Sequence, residues 1–147
     1  MKATPTLPFF LLFGLVSFLV LPAQERGDLI SSEHIGTRSF AQIEMIYSQF
    51  GIPPFLSPIE YEIDLFKVVY HTPAVTGDTL TRASGLVMVP IGDCDYPLFC
   101  YNHGTSLYGN PISSLGGEWV LGIFFAANGY LTIMPDYLGM GETPLSH

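Results

Sequence analysis

The apolar positions of this chain change period along its length. From Leu7 to Leu21 the sequence LPFFLLFGLVSFLVL carries no charge. Lys2 precedes that run, and Leu21-Pro22-Ala23 follows it. A positive start, a short apolar stretch and a small closing residue are the parts of a secretory leader, and a bilayer span asks for roughly 20 apolar residues. Residues 1–23 are thus expected to be a signal peptide cut near Ala23. An uncleaved anchor is the alternative. Gln24 to Glu33 is polar and reads as a mobile lead-in.

Helical spacing comes next. Phe40, Ile43, Tyr47 and Phe50 recur at three- and four-residue intervals and predict a helix near 39–50. Ser39 and Gln42 form a capping-box pattern, Gly51 suits the residue past the helix end, and Pro53-Pro54 prevents continuation. Tyr61 to His71 then alternates, with Tyr61, Ile63 and Leu65 against Glu62 and Asp64. Thr76-Gly77-Asp78-Thr79 is turn chemistry, and Arg82 to Pro90 is a second strand. An antiparallel hairpin spanning 61–90 is expected.

Two short, nearly continuous apolar runs follow, Pro97–Tyr101 and Tyr130–Met134. Such runs fit parallel strands covered on both faces. Trp119, Val120, Ile123, Phe124 and Ala127 between them keep helical spacing, and Gly129 ends it. Strands at 97–102 and 130–135 with a helix near 117–128 make a βαβ unit of right-handed crossover.

Composition narrows the function. Hydrophobic residues are 48% and charged residues 12%, which excludes a disordered acidic tail. The net charge of −8 argues against nucleic acid and anionic lipid headgroups as partners. A membrane would be met only through the N-terminal segment, were it uncleaved. The histidines at 34, 71, 103 and 147 lack metal-ligand spacing, so no metal is expected, and no other cofactor. Cys94 and Cys100 could oxidise in a secreted chain, yet Cys100 sits in an extended run that carries it away from Cys94. A buried free thiol at Cys100 is the expectation.

The stretch that carries chemistry is Tyr101-Asn102-His103-Gly104-Thr105 at one strand end, Gly129-Tyr130 opening the next strand, and Pro135-Asp136-Tyr137-Leu138-Gly139-Met140-Gly141 closing it. Together with Ala83-Ser84-Gly85-Leu86-Val87 upstream, this resembles the α/β-hydrolase superfamily, and within it secreted lipase-like and esterase-like members. The resemblance covers about Tyr61 to His147. It implies an α/β fold in which an antiparallel hairpin precedes a parallel βαβ unit, the N-terminal part of the sheet. It also implies ester or lipid hydrolysis on a small-molecule substrate, with Thr105 giving one backbone N–H of an oxyanion hole. Gly104 permits a tight path beside a substrate. His103 precedes any nucleophile in chain order, whereas the base of this fold follows it, so His103 is expected to support the loop. Asp136 is expected as a turn residue bonding nearby N–H groups, with Gly139 and Gly141 lending the loop its freedom.

The nucleophile elbow Gly-x-Ser-x-Gly is absent. Ser106 follows Gly104-Thr105, but Tyr108 stands where the last Gly belongs. No catalytic nucleophile, acid or base is assigned. The expected organisation is therefore a signal peptide at 1–23, a polar segment and helix at 24–60, and a partial hydrolase domain at 61–147. A truncated gene, a split gene and an incomplete gene model would each produce that pattern. On this reading the 130–134 run is left as an apolar sheet edge. Two other functions stay open: a non-catalytic secreted remnant or apolar binding module, and a membrane-anchored interaction protein.

Overall fold

The computed structural model describes residues 25–53, 55–77, 79–104 and 110–143. The leader expected at 1–23, Thr105 and Ser106 lie outside the described residues. The elements are β1 (Leu29–Arg38), α1 (Phe40–Gln49), β2 (Ile63–Pro73), β3 (Leu80–Pro90), β4 (Leu98–Cys100), a short 3-10 turn (Ile112–Ser114), α2 (Trp119–Ala127) and β5 (Leu131–Pro135). The strands form one mixed sheet of order β1-β2-β3-β5-β4.

β1 corrects the lead-in expected at 24–33. Leu29–Arg38 pairs antiparallel with β2, from Leu29 opposite Tyr70 to Arg38 opposite Ile63, with two register shifts. Most of its side chains face solvent. Backbone hydrogen bonds hold most of this edge strand, and Ile35 alone of its apolar side chains packs against the core, so hydrophobic patterning carries little trace of it. Polar ties across the pair help: Asp64 Oδ1 accepts from Thr37 Oγ1 at 2.6 Å and lies 3.0 Å from His34 Nε2.

α1 begins as its sequence predicts. The Gln42 amide donates to Ser39 Oγ and the Ser39 amide to Gln42 Oε1, the reciprocal capping box. Gly51, at φ +67°, and the Ile52 amide bonded to the Tyr47 carbonyl close the helix. Only the centre of the expected stripe is buried. Ile43 and Tyr47 reach the core, while Phe40 and Phe50 are 45% and 59% exposed because the helix ends overhang it.

β2 and β3 form an unbroken antiparallel hairpin, Ile63 opposite Pro90 through Pro73 opposite Leu80. β5 lies antiparallel to β3 and parallel to β4, with α2 as the crossover. β5 is thus interior and β4 is the edge, which reverses the expectation of an apolar edge at 130–134. The connection skips one position, so the strand later in sequence lies between two earlier ones.

One sheet face carries the core. Ile63 and Leu65 of β2, Leu86 and Met88 of β3, and Met134 of β5 meet Ile43, Tyr47, Ile112, Ile123, Ala126 and Ala127. Burying each large aliphatic side chain contributes about 1.5–3 kcal/mol. Gly122 brings α2 close, since a Cβ there would lie 2.5 Å from Met134 Sδ and 2.9 Å from Met88 Cε. The opposite face is only half covered among the described residues. Val87, Val89, Leu131 and Ile133 are part-exposed, and Leu98 is 66% exposed. The two apolar runs are therefore not buried on both faces. Cys94 and Cys100 are free thiols, and Cys100 is exposed, not buried, because it lies on the edge strand. None of the described helices is long and apolar enough to cross a membrane.

Candidate functional site

β4 and β5 run parallel, so their carboxyl ends open at the same rim of the sheet, the place where open α/β sheets bind ligands. Tyr101 extends the ladder by one bond, its amide donating to the Ile133 carbonyl at 2.9 Å. The chain then turns through Asn102, His103 and Gly104. β5 ends in the turn that holds Asp136 and Tyr137.

Several side chains around that turn tie down backbone. The His103 ring is buried, and its Nδ1 lies 2.7 Å from the Gly104 carbonyl oxygen. A carbonyl only accepts, so Nδ1 bears the hydrogen and Nε2 of a neutral ring is a bare acceptor. That Nε2 is buried with no partner among the described residues. Tyr137 packs on the ring at a tilt of 31°, 4.3 Å between centroids, and its hydroxyl donates to the His103 carbonyl. The Gly104 amide donates to Glu118 Oε2 at 3.1 Å, and the Tyr101 hydroxyl donates to the same oxygen at 2.8 Å. Tyr101 and then Gly104 hold the Glu118 carboxyl below the usual carboxylate range. The same bond pushes the Tyr101 phenol up.

Asp136 lies beside this turn but faces inward. It is 4% exposed, and both its oxygens are engaged. Oδ2 accepts from Ser84 Oγ at 2.6 Å, and Oδ1 accepts from the Ser113 amide at 3.2 Å. Ser84 Oγ in turn accepts from the Glu142 amide at 3.0 Å and from Ser113 Oγ at 3.4 Å. The aspartate thus joins β3, the 3-10 turn and the 139–142 loop. Gly139 and Gly141 have φ of +90° and +57°, and a Cβ on Gly141 would lie 2.1 Å from Ser84 Oγ. Glu142 pairs with Lys67 at 2.6 Å.

His103, Gly104, Asp136, Gly139 and Gly141 therefore share one rim. Sequence reasoning missed Glu118 and Tyr137. Tyr137 stands inside the Pro135–Gly141 motif, and Glu118 sits just before α2, where a crossover helix starts beside the preceding strand end. Those positions were the available signal. No group of three or more His, Cys, Asp or Glu that could hold a metal occurs among the described residues. An apolar groove of about 520 Å³, lined by Ile52, Leu56, Phe124, Phe125 and Tyr130 among others, lies toward the opposite end of α2.

No protein-family model matches the chain, and no curated protein matches it in sequence. Solved structures do. A candidate hydrolase from Legionella pneumophila matches with a TM-score of 0.70 at 31% identity, over 80% of this chain and 32% of the other. The rice cell wall degrading esterase LipA from Xanthomonas oryzae matches at 0.64 and 21% identity, over 83% of this chain and 32% of its own. Its ligand-bound form gives 0.65 and 20%, over 84% and 32%. The chain spans about a third of the length of the solved structures it matches. Its fold is that of part of an α/β-hydrolase-like sheet.

Proposed function

We propose that this chain is the N-terminal portion of a secreted serine hydrolase that cleaves carboxylic esters or lipids. The observation that carries the reading is the fixed turn after β4. There, His103 and Gly104 are pinned at the carboxyl end of a parallel strand, beside the Pro135–Gly141 turn of β5. Its backbone leads directly into Thr105, whose N–H is one oxyanion donor in this reading. The likeness of the fold to a candidate hydrolase and an esterase supports the reaction class. The apolar run at 7–21 supports export.

The triad belongs to residues beyond these 147, since no Gly-x-Ser-x-Gly occurs within them. Substrate is a small ester or lipid, and neither metal nor organic cofactor takes part. The test is the coding DNA after the His147 codon. An in-frame continuation with Gly-x-Ser-x-Gly within several tens of codons, whose product hydrolyses short activated esters, is the expected result. A continuation without that motif would sink the proposal.

A further inference from the structure

The turn between Tyr101 and Gly104 is secured at three backbone atoms by three side chains, one its own and two from other elements. The Tyr137 hydroxyl holds the His103 carbonyl, the His103 ring holds the Gly104 carbonyl, and Glu118 holds the Gly104 amide. The first two belong to the strand-end motifs themselves. The third comes from the start of the crossover helix, 14 positions away from Gly104. Glu118 also differs in chemistry, because it alone of the three is an anion, and one of its oxygens accepts two bonds at once.

From this geometry we infer that Glu118 is the positioning residue of the strand-end turn: it fixes the backbone at Gly104. The inference rests on the hydrolase reading for its catalytic meaning, though not for its structural content. A carboxylate accepting a backbone N–H makes a charge-assisted bond, roughly twice as strong as a neutral one. The Tyr101 hydroxyl restrains that carboxylate from the strand side, so the anion cannot swing into solvent without breaking both bonds. Gly104 admits the close approach, because a Cβ there would sit 3.2 Å from Glu118 Oε1. The latch also answers to pH. The titratable groups facing it are Tyr101 and His103: the Tyr101 hydroxyl favours its charged form by hydrogen bonding, and a protonated His103 ring would favour it by charge. The bonds therefore hold at neutral pH and weaken only as the medium becomes more acidic than an ordinary Glu requires.

Three substitutions in the full chain separate this from a merely structural role. A Gln carbonyl has two lone pairs and can accept both bonds, so Glu118→Gln keeps the latch without its titration. Glu118→Asp is one methylene too short to reach both donors, and Glu118→Ala removes the acceptor. Hydrogen exchange and the chemical shift of the Gly104 amide in ¹⁵N-labelled protein are the readouts. In the wild type the Gly104 shift titrates with a midpoint below the ordinary Glu value. In Glu118→Gln that titration disappears while protection stays within a few-fold. In Glu118→Asp and Glu118→Ala protection falls on the order of tenfold, the loss of one charge-assisted bond. Unchanged Gly104 exchange in Glu118→Ala, or a wild-type shift that ignores acid, would overturn the assignment. Should Glu118→Ala fail to fold, Tyr101→Phe decides: removing one bond must raise the Gly104 midpoint toward the ordinary Glu value, and an unmoved midpoint refutes the latch. These readouts need no turnover. A protected, titrating Gly104, found together with a full-length product that carries the downstream residues and yet lacks esterase activity, would count against the hydrolase reading alone.

Discussion

Ser84 Oγ donates to Asp136 Oδ2 at 2.6 Å across 52 residues of sequence, and both side chains are buried. That bond, not the turn it adjoins, explains why an aspartate closes β5. Asp136→Ala would take away the acceptor of the Ser113 amide and of the Ser84 hydroxyl hydrogen in the interior. A loss of roughly 2–4 kcal/mol is expected. Ser84→Ala leaves the Ser113 amide its acceptor but takes one from the Glu142 amide and a donor from the buried carboxylate, so a loss of similar size is expected. Urea unfolding of both variants is the check, and a loss under half a kcal/mol for Asp136→Ala would contradict it.

Gly141→Ala is expected to destabilise by about 2 kcal/mol or more. The φ of +57° alone disfavours any side chain, and the new Cβ would meet Ser84 Oγ and Asp136 Oδ2 at 2.1 and 2.5 Å. The cost should shrink in a Ser84→Ala background, since one of the two collisions is gone. A double-mutant cycle by thermal or urea unfolding measures this, and strict additivity would speak against the contact.

Lys67 bonded to Glu142 keeps the Glu142 carboxyl below the usual range. A folded value below the unfolded one means the pair stabilises fully above the ordinary Glu range. That contribution is lost as pH falls through the lower folded value. Both side chains are partly exposed, so the effect is below about 1 kcal/mol. Lys67→Gln should flatten the acid limb of a stability-versus-pH curve while leaving its shape above neutrality alone. Superimposable acid limbs would remove the pair from the account.

Both cysteines should react with a thiol reagent in the folded chain. Cys100 lies on the open edge of β4 and Cys94 on an exposed loop. Two equivalents of thiol titrated without denaturant is the expected count. One equivalent, or none until reduction, would mean that a buried or bridged cysteine has been misplaced.

Residues 24–147 by themselves should show no serine-hydrolase turnover. Acyl transfer by this fold needs a serine activated by a histidine that an acid orients, and a lone oxyanion donor does not replace them. Both oxygens of Asp136 are engaged in the interior, so it is no spare acid. Short activated esters and a fluorophosphonate probe make the assay, with Ser106→Ala beside the parent chain. Turnover or labelling that vanishes in Ser106→Ala would reveal a complete enzyme.

What the sequence made legible follows from how each element is held. α1, the hairpin and the βαβ unit bury side chains at a period, and the period is printed in the residues. β1 is held mostly by backbone bonds, so Leu29–Arg38 left little mark in the hydrophobic pattern. The position of β5 was unreadable for another reason: strand order is a long-range matter, and neither apolar run states its neighbour. In the site, glycines and motif residues stood out because a turn constrains residue type locally. Glu118 did not, because its partners Tyr101 and Gly104 are distant in sequence and a lone glutamate before a helix is commonplace. Asp136 was placed at the correct strand end with too modest a role, since its main partner, Ser84, lies a whole βαβ unit upstream.

Because β5 lies between β3 and β4, the sheet has a fixed order of assembly. β3 and β4 follow one another in the chain, yet each needs residues 131–135 before it gains its neighbour on that side. On the ribosome the β2–β3 hairpin can form alone, but β4 has nothing to pair with until about 30 further residues have been made. A nascent chain stalled short of Leu131 would present the inner edge of β3 and an orphan β4 together. Synthesis through β5 is therefore the step that turns two adhesive edges into one sheet.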